Sequence, residues 1–236
     1  ALFLAFSFTK PFVVEATSVP VFQGFVGQTP TAEPGDHLAG FGYPASVAID
    51  QQGNMYVFDI FANHVKKFDS SGSFTLFFGG YGSGDGEFSA GEVGGIVTDI
   101  SGNVYVVDGG NNRVQKFDSS GNYLSQFGSF GTGDGQFSLP VGITLDSSGN
   151  VYVVDYVNHR IQKFDSSGNF LMKFGTQGSG KGQFSYPMGV SIDTSGNIYV
   201  VDSGNGRVQK FDIGGSYLSK WASNGVNNGQ FSNPQG

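Results

Sequence analysis

An internal repeat constrains this chain more than any other feature. Aligned on one aspartate, the segments MYVFD, VYVVD, VYVVD and IYVVD end at Asp59, Asp108, Asp155 and Asp202, separated by 49, 47 and 47 residues. Ten residues after each comes VKKFD, VQKFD, IQKFD or VQKFD, ending at Asp69, Asp118, Asp165 and Asp212. Four copies of one unit therefore fill residues 44–223. The two extra residues of the second copy fall in the loop that leads into it, FSAGEVGGI at 88–96, where the others have FGYPASV, FSLPVGI and FSYPMGV.

Each copy contains four short runs of β character, in the third ITLD (143–146), VYVVD (151–155), RIQKFD (160–165) and NFLMKFG (169–175). Ser-Ser-Gly-Asn or a near variant joins the first pair and the last pair, with Gly149 and Gly168 placed to supply the positive φ of a tight hairpin. With 24 Phe, 10 Tyr and 39 Gly, the composition is that of strands and turns. An all-β chain is expected. Four antiparallel strands recurring as one unit read as a propeller blade, whereas the strands of a two-sheet sandwich would not repeat together. A blade cannot bury both its faces alone, so the copies must stack into one continuous core.

The pattern P-x-G-[IV]-x-[IL]-D-x-x-G-N-[VI]-Y-V-V-D-x-x-N-x-R-[VI]-Q-K-F-D-x-x-G, at 140–168 and 187–215, resembles the NHL repeat family of β-propellers. The resemblance covers about three quarters of the chain and implies four blades at 44–80, 93–129, 140–176 and 187–223. It also implies a ring of about six, with one or two units lying outside this sequence. The first blade departs most, with Ala62 and His64 where the others have Asn and Arg. Residues 17–43 read as a strand and a lead-in loop: VPVFQGFVG (19–27) is like the fourth strand of a blade and PGDHLAGFGYP (34–44) like the loop. Residues 224–236 read as the lead-in loop of a further blade.

The formal charge is −7 with only 12 basic residues, thinly spread, which gives no footprint for a phosphate backbone. Nucleic acid is excluded as an expected partner. There is no cysteine, hence no disulfide frame, and no Asn-x-Ser/Thr sequon. Residues 1–16, ALFLAFSFTKPFVVEA, are apolar and too short to span a bilayer. They read as the remnant of a secretory signal, with a buried N-terminal strand as the alternative. The signal reading places the protein outside the cell or at its surface, with no membrane span in the mature chain.

Because the copies superimpose, residues present in every copy are assigned to folding, and singular residues become the functional candidates. Asp108, Asn111 and Arg113 recur as Asp155, Asn158 and Arg160 and as Asp202, Asn205 and Arg207, and read as a local device that closes a turn. Asp50, Asp99, Asp146 and Asp193 read as turn residues. Zinc is the metal that histidines would hold, but His37, His64 and His159 are too few for the converging set that the resemblance associates with propeller lyases. Calcium at Asp85 or Asp134 in the glycine-rich loops falls short of six to eight oxygens. No cofactor is expected, and no catalytic motif such as GxSxG or HExxH is present. The variable face is formed by Phe61, Asn63, His64, Asp85, Glu87, Glu92, Asp134, Tyr156, His159 and Lys181, of which Phe61, His64, Asp85, Asp134, Tyr156, His159 and Lys181 are the ligand-binding candidates. The expected function is a non-catalytic module that binds a protein, peptide or glycan, with self-association through open blade edges as a further expectation. The alternative is a lyase or hydrolase with a metal at the channel mouth.

Overall fold

A computed structural model describes residues 40–89 and 94–235. The apolar segment 1–16, the strand-like 19–27, His37 and Glu92 lie outside the described residues. Among the described residues, sixteen strands form four sheets, each antiparallel and in sequence order. Blade one comprises β1 (Pro44–Ile49), β2 (Met55–Asp59), β3 (His64–Phe68) and β4 (Phe74–Gly79). Blade two comprises β5 (Ile96–Thr98), β6 (Val104–Asp108), β7 (Arg113–Phe117) and β8 (Tyr123–Phe127). Blade three follows with β9 (Pro140–Leu145), β10 (Val151–Asp155), β11 (Arg160–Phe164) and β12 (Phe170–Phe174). Blade four has β13 (Pro187–Ile192), β14 (Ile198–Asp202), β15 (Arg207–Phe211) and β16 (Tyr217–Trp221).

The aspartates that end the hairpin strands act as the turn chemistry requires. Asp146 Oδ1 accepts from the amides of Ser148 (3.0 Å) and Asn150 (2.9 Å), while Asn150 Nδ2 donates to Asp146 Oδ2 at 2.8 Å. Gly149, at φ +79°, returns its own amide to the Asp146 carbonyl. The same arrangement closes the turns after Asp50, Asp99 and Asp193, and those after Asp118 and Asp165 between third and fourth strands; after Asp69 and Asp212 the backbone amides bond alike, but serine replaces the asparagine.

Strands β6 and β10 are buried at every position because neighbouring blades cover both faces. The outer strands β8 and β12 alternate between half-buried and exposed. Phenylalanine makes the joints. Phe78 and Phe88 meet Phe117 at 4.8 and 5.7 Å, Phe127 and Phe137 meet Phe164 at 4.7 and 5.5 Å, and Phe174 and Phe184 meet Phe211 at 4.9 and 5.5 Å. In each triplet one ring comes from a fourth strand, one from the loop that follows it, and one from the third strand of the next blade. Burying each ring contributes about 1.5–3 kcal/mol. The loop ring also dictates a glycine: a Cβ on Gly175 would sit 2.4 Å from Phe184, at a φ of +97° that side chains avoid.

The first strands surround the centre. Gly95 N donates to Val141 O at 2.8 Å, and a Cβ on Gly142 would lie 2.6 Å from Met188 O. Between these strands lies a cavity of about 290 Å³ lined by Ser46, Gly95, Gly142, Met188 and Gly189 among others. Among the described residues, the two ends of the array are uncovered. Phe231, equivalent to the fully buried Phe88, Phe137 and Phe184, is 40% exposed, and Val47 is 57% exposed where its counterpart Ile96 is buried.

Candidate functional site

The loops between second and third strands and the lead-in loops share one face. In blade three, Asp155 sits at the end of β10 with its side chain fully buried, and Arg160 begins β11 opposite it. Arg160 Nε donates to Asp155 Oδ2 at 2.7 Å, Nη1 to Thr132 O at 2.9 Å, and Nη2 to Gly133 O and Gln136 O at 2.7 and 2.8 Å. Asn158 Nδ2 donates to Gly131 O, and Ser138 N donates to Asp155 Oδ1 at 2.8 Å. Gln162 completes the set: its Nε2 donates to Gln136 O and Asp155 Oδ2, and its Oε1 accepts from Gly135 N.

These groups do more than close their own turn. The expectation of a local turn device is corrected in its reach, because the acceptors lie 24–28 residues upstream, in the loop that leads into the blade. A glycine-rich loop has no side chains with which to pack, so its carbonyls are fixed by the one side chain that offers a fan of charged donors. The guanidinium is buried, and the desolvation cost of its ion pair with Asp155 is offset by the four hydrogen bonds it donates and by those Asp155 accepts. Asp202, Asn205, Arg207 and Gln209 repeat the clamp in blade four, and Asp108, Asn111, Arg113 and Gln115 in blade two. The glutamines were legible as the invariant residue of VQKFD and IQKFD but carry no signal on their own.

Blade one solves the same problem differently. Lys66 stands at the glutamine position, pairs with Asp59 at 3.2 Å and donates to Gly40 O. Gly42 N and Tyr43 N donate to the same carboxylate at 2.7 and 2.8 Å. Burial pushes the Asp59 carboxyl up, but these amides and Lys66 together hold it below the usual carboxylate range. Phe41 packs on Phe68 at 5.7 Å, the plug of this blade. His64, at the arginine position, instead rests on Phe77 at 4.6 Å, where burial and the charge of Lys66 keep its imidazole below its ordinary pKa.

Of the ligand-binding candidates, Phe61 is 80% exposed, and Asp85, Asp134 and Lys181 are exposed on the lead-in loops. Asp134 pairs with Lys173, and Lys181 lies 5.9 Å above the Tyr217 ring. His159 lies beneath the face rather than on it. It is 7% exposed, its backbone is left-handed at φ +54°, and its Nδ1 accepts from Tyr186 N at 3.0 Å. Asn112 at the same position has φ +55° and accepts from Leu139 N at 2.8 Å through Oδ1. Asn63 and Gly206 share the backbone conformation, which accounts for Asn and Gly at this site. Tyr156 is likewise not free: it is half-buried against the core of blades three and four, with its ring 5.1 Å from Tyr186. Sequence reasoning missed three exposed aromatics on this face, Tyr81 (76% exposed), Phe130 (73% exposed) and Tyr186. Tyr81 and Phe130 occupy one loop position that carries Gln177 and Asn224 in the later copies, a variation the alignment contained.

No group of three or more histidine, aspartate or glutamate side chains is gathered for a metal among the described residues. No helix among them is long and apolar enough to cross a membrane.

The NHL repeat pattern matches residues 137–164 and 184–211, each spanning a plug phenylalanine and the clamp of its blade. No curated protein matches the chain by sequence. Among solved structures, virginiamycin B lyase from Staphylococcus aureus superposes with a TM-score of 0.57 at 16% identity, over 75% of this chain and 54% of that one. The nidogen/laminin complex gives 0.56 at 21% identity over 76% and 64%, and Kuenenia stuttgartiensis hydrazine synthase 0.58 at 15% over 84% and 52%. At these identities the likeness is one of fold. The chain spans about half the length of the lyase chains it superposes on.

Proposed function

We propose, for a chain whose NHL repeats fold into β-propeller blades, that it is a non-catalytic extracellular module that binds a protein, peptide or glycan through the face of its lead-in loops. One observation carries the reading. On that face the recurrent polar side chains are spent on the loops themselves, while the side chains left outward include, beside Asp85, Asp134 and Lys181, aromatics that differ between blades: Phe61, Tyr81, Phe130 and Tyr186. Rigidly mounted aromatics supply large contact area at low entropic cost. Superposition on a propeller in a nidogen/laminin complex supports the reading only as far as the fold reaches.

A ligand fits this face better than a second copy stacked on blade four does. Such a copy would bring Phe231 toward a third-strand phenylalanine, Phe68, whose plug seat Phe41 already fills. The rival reading, a metal-dependent lyase or hydrolase, has the superposition on virginiamycin B lyase in its favour and makes a distinct prediction. Screening the purified chain against glycan and peptide arrays, with F61A and F130A as controls, tests the first reading: binding lost in both variants supports it. Stoichiometric zinc or calcium by elemental analysis, with hydrolytic or lyase activity lost on chelation, would overturn it.

A further inference from the structure

We propose that His159 makes the joint between blades three and four acid-labile, through the hydrogen bond its Nδ1 accepts from the Tyr186 amide. That amide is a donor, so the bond requires a lone pair on Nδ1 and fixes the neutral imidazole with its proton on Nε2. A proton taken from solvent onto Nδ1 turns the acceptor into a second donor, and two N–H groups then face each other across 3.0 Å. Two carboxylates act on the ring, Asp155 of β10 and Asp202 of β14, and each is already engaged at 2.7 Å by its own guanidinium, Arg160 and Arg207. The ring also lies 4.5 Å from that of Tyr186, which in turn meets Tyr156. Burial accordingly holds the imidazole below its ordinary pKa, with the two aspartates opposing weakly.

The consequence is local. Tyr186 sits in a left-handed conformation (φ +48°) immediately before β13, so releasing its amide loosens the last residue of the lead-in, past the part that Asp202 and Arg207 hold, and with it the tilted contact of the Tyr186 and Tyr156 rings. The joint between blades two and three supplies the internal control, since Asn112 holds Leu139 N with an amide oxygen that does not titrate in this range. The two joints therefore differ in sensitivity to acid, whether or not the face carries a ligand.

Amide exchange read by NMR between pH 7.5 and 4.5, corrected for intrinsic rates, tests this on the full chain. Protection at Tyr186 should fall by roughly fivefold or more, the worth of one net hydrogen bond, while Leu139 keeps its protection. H159N, which copies blade two, should remove the pH step and keep protection at Tyr186; H159G, which copies Gly206, should lose protection at both pH values. Imidazole 15N shifts of the unmodified chain give a second measurement that needs no variant: unprotonated Nδ1 at pH 7.5 is expected. A protonated Nδ1 at pH 7.5, or Tyr186 and Leu139 responding alike to acid, would overturn the proposal.

Discussion

Lys66 meets Asp59 at 3.2 Å and with it replaces, in blade one, the arginine and glutamine that hold the other three lead-in loops. Two departures of this blade from its repeat, His64 for Arg and Lys66 for Gln, are thus one exchange: the cation has moved two residues along β3.

K66Q leaves Asp59 buried with no cation beside it and should destabilise the chain by about 3–5 kcal/mol, the cost of breaking a buried pair from one side. Adding H64R to K66Q restores the arginine and glutamine of the clamp, though not its asparagine, and should recover most of that loss. Urea unfolding of the two variants checks both; a double variant no better than K66Q would show that blade one cannot accept the common clamp.

Plug phenylalanines should differ in worth by position. F137A empties a fully buried site between blades two and three and should cost about 3–5 kcal/mol. F231A, at the uncovered end, should cost under about 1 kcal/mol. Thermal unfolding midpoints of the two variants in parallel provide the comparison.

Acid should weaken the hairpin turns in a defined window. Hydrogen bonds from Asn197, chiefly its side chain, hold the Asp193 carboxyl at about 2, below its value in the unfolded chain. A depressed folded pKa means that the contribution is complete above the unfolded value of about 4 and is lost as pH falls toward the folded one. The slope of stability against pH between 4 and 2 should be shallower in D193N than in the parent.

Exposed aromatics on the lead-in face should be separable from folding. F61A, Y81A and F130A should change stability by no more than about 0.5 kcal/mol, and reduce ligand affinity once a ligand is in hand. Y156A should destabilise the chain as well, because its ring packs on Tyr186 and the core of blades three and four. Melting curves beside binding isotherms distinguish the two groups.

The blades were legible because the chain carries its own alignment: four copies separate framework from variation, and Asp146, Gly149 and the plug phenylalanines each recur at a fixed offset. The clamp was half legible. Asp155, Asn158 and Arg160 stand out as a motif, but their acceptors are main-chain carbonyls of Thr132, Gly133 and Gln136, and a carbonyl leaves no mark on residue identity. The burial of His159 was not legible for a related reason. Its singularity among the copies suggested a ligand contact, whereas Asn, His and Gly are interchangeable at a left-handed position, and Asn and His can both offer an acceptor to the following loop. Lys66 was less legible because a lysine at the position of Gln115, Gln162 and Gln209 leaves the pattern of the strand unchanged, and its partner Gly40 O is again a main-chain carbonyl.

Since each lead-in loop is gripped by the blade that follows it, the unit a protein engineer could graft is out of phase with the sheet. A cassette cut from residues 128 to 174 would carry its own loop, its plug Phe137 and the Arg160 fork that holds them. One cut from 140 to 186, although it contains the same four strands, would arrive in its host with Arg160 reaching for carbonyls left behind.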